Sequence, residues 1–153
     1  MFDIHLTDEV VHDTDAGVTA LYGKIHLGAC AETFVSSLVC WGRVGYERQW
    51  DAAIQRLLAG AAVSALITSY VEPSMSNHLM RWPLYREGKV VYVQNQMLFF
   101  DQLNAQFSPD VSWESVRERK STNVDGSKIS EWKFGVQDLQ DFLDRKRAAQ
   151  ASF

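Results

Sequence analysis

Proline and cysteine are scarce in this chain, with 3 Pro and 2 Cys among 153 residues, and there are only 9 Gly. Such a composition excludes a collagen-like repeat, a low-complexity linker and a disulfide-held scaffold. No apolar run approaches the roughly 18 residues of a membrane-spanning helix, and the longest, around residues 60–68, is strand-sized. Basic residues are absent from the first 23 positions: Asp3, Asp8, Glu9, Asp13 and Asp15 all precede Lys24. That order opposes a secretory leader, which opens with positive charge, so the expected compartment is the cytoplasm. Cys30 and Cys40 are then expected to remain thiols, as two small buried apolar residues.

Aromatic residues, by contrast, are plentiful. Five Trp, 5 Tyr and 8 Phe predict a large aromatic core, and about 150 residues suffice for one domain over residues 1–153 that buries roughly 70% of its unfolded surface. Fifteen Lys and Arg against 19 Asp and Glu leave a net charge of −4 and a pI near 5.5. This balance does not suit a protein whose main task is gripping a phosphate backbone, and it fits one that meets a basic partner.

Periodicity gives the elements. Residues 1–6 form an apolar patch, read as a short edge strand, and an acidic, loosely ordered segment completes residues 1–18. Alternation at 19–27 predicts a strand, a turn spans 28–32, and residues 33–41 make its antiparallel partner. Tyr46, Trp50, Ala53, Ile54, Leu57 and Leu58 fall on one helical stripe over 46–58, with Gly60 as the stop. Three strands follow at 63–71, 78–85 and 89–96, Pro83 implying a bulge or an edge and Glu87-Gly88 a tight hairpin turn. Residues 97–106 extend the last of them before a loop. Ser108-Pro109-Asp110 opens a helix to residue 117, Asp125-Gly126 makes a turn, and residues 128–134 form a final strand. Val136, Leu139, Phe142 and Leu143 mark a last helix, with Arg145, Lys146 and Arg147 at its negative end. This order predicts an α+β fold, antiparallel sheets with about three helices.

Sites of chemistry are hard to find. His5, His12, His26 and His78 show no ligand spacing, and the sequence contains no HExxH, CxxC pair, GxxxxGK or GxSxG. No cofactor or metal is therefore expected. A dyad of Cys30 or Cys40 with His26 has nothing to place it. Asp101 and Glu131 stand in aromatic surroundings, where a carboxyl pKa rises, although a solvated strand-end carboxylate is the simpler reading. The basic run 117–120, near Trp113 and Trp132, has the ingredients of a nucleic-acid patch but is interrupted by Glu118, and reads as a solvated helix end.

Several segments carry a resemblance. They are Tyr70-Val71-Glu72-Pro73, Trp82-Pro83-Leu84-Tyr85, Val90-Val91-Tyr92-Val93-Gln94-Asn95-Gln96, Phe107-Ser108-Pro109 and Lys128-Ile129-Ser130-Glu131-Trp132. In order and spacing, over about residues 46–142, they resemble the CdiI-type immunity proteins of bacterial contact-dependent growth inhibition, and the first 30 residues diverge. The resemblance implies an antiparallel α+β domain similar to the Whirly fold. It also implies a non-enzymatic cytoplasmic protein that neutralises the C-terminal toxin domain of a cognate CdiA-type effector, a nuclease acting on ribosomal RNA. The alternative is a Whirly-like single-stranded nucleic-acid binder, against which the charge counts. Partner contacts are expected from acids at turns and strand ends, namely Glu87, Asp101, Asp110, Asp125 and Glu131, with Trp113 as an aromatic anchor.

Overall fold

Strand β2, Val18–Leu27, is the middle of a three-stranded antiparallel sheet between β1, Phe2–Asp13, and β3, Cys30–Ser37, in a computed structural model that describes residues 1–13 and 18–151. Phe2, Ile4 and Leu6 lie opposite Leu27, Ile25 and Gly23, so alternate side chains of both strands share the buried face. Gly23 leaves room for the ring of Phe34, its partner on β3: a Cβ there would stand 2.3 Å from that ring and force it to move. The N-terminal reading needs correction, because β1 does not end at Leu6. Its register shifts between Leu6 and Val10 and pairing resumes to Asp13; residues 14–17 lie outside the described residues. Arg43 holds the irregular stretch, donating to Leu6 O at 3.1 Å and Thr7 O at 2.7 Å.

The β2–β3 turn is only Gly28-Ala29, shorter than expected, with Gly28 at φ 69°, and β3 is displaced towards the N-terminus accordingly. Cys30 thereby falls beside the turn and is exposed rather than buried, while Cys40 is half-buried beyond the far end of the strand; both are free thiols.

Helix α1, Arg43–Leu58, starts three residues before the predicted stripe and buries Tyr46, Trp50, Ala53, Ile54 and Leu57 of it, leaving Leu58 half-buried. It runs along the edge of a second sheet. The strands there are β4, Val63–Ser69; β5, His78–Glu87; β6, Val90–Gln94; β7, Gln96–Phe99; and β8, Glu131–Gly135. Their order is β4-β5-β6-β8, with β7 paired to the first half of β5. An edge strand leaves backbone groups unpaired, and α1 satisfies them on β4. Gln49 Nε2 donates to Ala65 O and Gln49 Oε1 accepts from Ile67 N, both at 2.8 Å, while Trp50 Nε1 donates to Ile67 O at 2.7 Å.

Pro83 occupies a central strand, not an edge or a bulge. It sits between the β7 pairing, which ends at Arg81, and the β6 pairing, which begins at Leu84; the register is the same on both sides, and the neighbouring strand is interrupted only at Asn95. The β5–β6 turn is Gly88-Lys89 instead of Glu87-Gly88; Gly88 takes φ 63° and Lys89 does not go positive, the requirement of a type II′ hairpin.

Helix α2, Val136–Ala151, follows β8 directly, with Asp138 Oδ2 accepting from Gly135 N at 2.8 Å. Phe2 meets Phe134 and Phe142 edge-on, each at 5.5 Å, and thereby joins β1, β8 and α2. Arg145, Lys146 and Arg147 do not stand at the negative end of the helix, because α2 runs on to Ala151 and has no basic residue in its last turn; instead Arg145 donates to Phe2 O at 2.6 Å and Lys146 pairs with Asp51 of α1 at 2.9 Å. A continuous aromatic core, with Trp50 and Trp82 at its centre, spans both sheets. The sheets are tied at β3 and β4, where Ser36 Oγ donates to Thr68 O. Nearby, Tyr46 donates its hydroxyl to Ser37 O at 2.6 Å and accepts from Tyr70 N at 3.0 Å. The expected third helix is a 3₁₀ helix, Pro109–Ser115, non-helical at Val111, and a shorter 3₁₀ turn covers Phe100–Gln102. The fold is α+β. Among the described residues no helix is long and apolar enough to cross a membrane.

Candidate partner-binding surface

After the 3₁₀ helix the chain crosses one face of the second sheet, and two arginines fix its path. Arg81 on β5 is fully buried and, among the described residues, meets no carboxylate in its hydrogen-bonding shell: it donates to Gln96 Oε1, Ser112 O, Ser115 Oγ and Ser115 O at 2.6–3.2 Å. Burial drives its pKa down to about 10. The 3₁₀ segment is thus held by its own carbonyls.

Arg119 is the second. Its guanidinium lies 3.6 Å above the Tyr92 ring and forms a bidentate pair with Glu131, at 2.8 and 2.6 Å, with Glu87 at 4.0 Å. Gln94 Nε2 donates to the same carboxylate at 2.7 Å and to Lys120 O at 3.0 Å. Sheet register explains the meeting, because Gln94 pairs with Glu131 and Tyr92 with Lys133, so these side chains share a face. The Arg119 hydrogen bonds pull the Glu131 carboxyl below its ordinary pKa, and Glu131 in turn raises Arg119. A general acid needs the opposite shift. Glu131 is an anchor for the crossing chain, and the run 117–120 is not a helix end.

The other acids lie apart. Asp125 caps the exposed turn at the tip of loop 121–130, accepting from Ser127 N at 2.9 Å, which lowers its pKa. Thr122 and Lys128 bridge the base of that loop. Asp110 and Trp113 line a groove of about 380 Å³ against Trp41, Gly45 and Ala52 of the α1 region, with Arg56 stacked 3.9 Å over the Trp113 ring. Asp101 is exposed on the 3₁₀ turn after β7. The structure therefore gathers Glu87 and Glu131 around Arg119, and Asp110 beside Trp113; it leaves Asp101 and Asp125 on separate loops. Sequence reasoning missed Arg81 and Arg119 as organising residues. Their partners are 12 to 34 positions away, and the one available signal was an arginine inside an otherwise alternating apolar strand.

Comparison with known proteins accounts for this architecture. The model of the CdiI N-terminal domain matches residues 36–142. Immunity protein CdiI of Enterobacter cloacae subsp. cloacae is 33% identical over 102 residues, 67% of this chain and 70% of the relative. The solved CdiA-CT/CdiI toxin and immunity complex from Enterobacter cloacae contains a chain that superposes with a TM-score of 0.82 at 30% identity, covering 93% of this chain and 95% of that one. By the span of the family model and the identity to a curated relative, this chain belongs to the CdiI immunity-protein family.

Proposed function

We propose that this protein binds the C-terminal toxin domain of a cognate CdiA effector in the cytoplasm and neutralises it, and that the toxin is a nuclease. The observation that carries the reading is the likeness, over nearly the whole chain, to a member of a toxin–immunity complex. Charge supports the finer part. A nuclease presents Lys and Arg to its substrate, and a partner of net charge −4 complements that surface, which raises association rate and specificity more than affinity. The function is inhibition by binding, not catalysis.

The contact residues of this reading are Glu87, Asp101, Asp110, Trp113, Asp125 and Glu131. Asp125 projects at a loop tip, Glu87 is largely exposed at a strand end, and Trp113 is held flat by Arg56, an orientation that costs little entropy on binding. Co-expression with the cognate CdiA C-terminal domain tests it. The expected result is a stable co-purifying complex, rescue of growth and protection of cellular RNA. A toxin that kills at full strength and does not co-purify refutes inhibition; rescue from a toxin that leaves nucleic acid intact refutes its nuclease nature.

A further inference from the structure

On the face of the first sheet opposite its buried side, Asp3, His5 and His26 stand together. Asp3 and His5 are two apart on β1 and so project to one face, opposite to buried Phe2 and Ile4. Asp3 pairs directly with His26 of β2, and His5 is its diagonal neighbour. Asp3 Oδ2 lies 2.8 Å from His5 Nδ1, and the His5 and His26 rings stack at 5.6 Å with a 19° tilt. One ligand atom from each of the three residues falls within 4.8 Å of the others.

We infer that Asp3, His5 and His26 form a binding site for a divalent transition-metal ion, with Zn²⁺ as the expected occupant. Two imidazoles and one carboxylate suit a borderline cation and not Mg²⁺ or Ca²⁺, which take oxygen ligands. Bonds of about 2.0–2.2 Å in tetrahedral geometry set ligand atoms about 3.3 Å apart, so side-chain rotations of the order of 1 Å close the set around an ion. The backbone needs no change, because the three Cα atoms are already fixed by strand register. Three protein ligands at a half-exposed surface leave a coordination position for water or a ligand from a partner. Lys24 faces His5 across the strands and places a cation on the same face, which weakens binding relative to a structural zinc site. The family model begins at residue 36, so the site belongs to a part of the chain that the model does not describe. An apolar surface pair of the same shape would hold the sheet equally well; the metal reading differs in being saturable and selective.

The test uses the untagged full-length protein, free of chelator, titrated with ZnCl₂ by calorimetry and by histidine-ring NMR. One Zn²⁺ per chain is expected, with the His5 and His26 resonances moving and those of His12 and His78 unchanged. His26→Ala and His5→Ala each weaken binding by at least about 10-fold, the lower figure for disturbing even an outer partner of a metal ligand. Asp3→Asn, which keeps the shape, weakens it less. Mg²⁺ produces no shift, and His78→Ala binds as the parent does. Absence of saturable binding up to millimolar Zn²⁺ overturns the inference, as does unchanged affinity in a folded H5A/H26A double variant. Neither result bears on toxin binding, which is measured separately.

Discussion

Tyr46→Phe removes one oxygen atom from the junction of the two sheets. Its hydroxyl has no solvent exposure, donates to Ser37 O at 2.6 Å and accepts from Tyr70 N at 3.0 Å. Phenylalanine fills the same space, so no cavity forms, but a buried carbonyl and a buried N–H lose their partner together. Each such group costs about 1–3 kcal/mol, about 2–6 kcal/mol together, and with Trp41 and Trp50 still packed on the ring the expected loss lies in the lower part of that range, about 2–4 kcal/mol. Against a total of about 5–15 kcal/mol this is large, and it lowers Tm by roughly 5–15 °C. Urea unfolding with an unchanged m-value is the assay. Alkaline pH adds a second readout. Burial pushes the Tyr46 phenol up to about 12 from its ordinary 10, the Tyr70 N–H partly opposing. The unfolded chain then sheds this proton first, and the phenol's contribution, complete below pH 10, is lost as pH rises towards 12, about 2–3 kcal/mol at one pKa unit per 1.36 kcal/mol. The gap between parent and Y46F therefore narrows over pH 10–12. Arg81, lowered from 12.5 to about 10, drives stability the opposite way over pH 10–12.5, but equally in both proteins, so the difference isolates Tyr46. A neutral-pH loss below about 0.5 kcal/mol, or a gap that widens with alkali, refutes the reasoning.

Other expectations concern the second sheet and the binding surface. Glu131→Gln costs about 1–2 kcal/mol, between an exposed pair and a buried charge-assisted one, and flattens the acid limb of stability, because a depressed carboxyl pKa gives stability that is present above about 4.5 and lost as pH falls through the folded value; an acid limb identical to the parent's contradicts this. Charge reversal at Glu87, Asp101, Asp110, Asp125 and Glu131, scored by toxin affinity and cell survival, should show about 2–5 kcal/mol at a desolvated contact and under about 1 kcal/mol at the rim. If all five leave both readouts unmoved in folded protein, the interface lies elsewhere, the acidic segment 3–15 being the next place to scan. Fluorescence titration with single-stranded DNA should detect no tight, salt-sensitive binding at physiological salt, given the net charge of −4; a steep salt slope would point to a nucleic-acid binder.

Local pattern carried much of the fold into view. The stripe from Tyr46 to Leu57 reads as a helix because its spacing needs no partner to be seen, and β2 reads as a strand for the same reason. Where a distant residue decides, the pattern misleads. Thr7, Asp8 and Glu9 break the alternation of β1 and look like a loop; Arg43, some 35 residues on, supplies the bonds that let pairing resume. Ser108-Pro109 has the chemistry of an α-helix start, yet Arg81 claims the carbonyls of Ser112 and Ser115, and the segment stops as a 3₁₀ helix. The acids chosen for partner contact show the same limit. Glu131 was legible as an acid beside Trp132, whereas its engagement by Arg119 depends on a loop closing back on the sheet.

The dependence of β4 on α1 has a consequence for synthesis and handling in the cell. Val63–Ser69 is apolar, rich in β-formers, uncharged and free of proline, the kind of segment that adds to other chains when its edge is bare. Its guard comes earlier in the chain and only four residues away, so a nascent polypeptide emerging N-terminus first exposes the helix before the strand. Gln49 and Trp50 can occupy the edge as soon as β4 appears, ahead of β5 on its other side. Removing the Gln49 amide would thus tell more on soluble yield during expression than on the equilibrium stability of protein that has already folded.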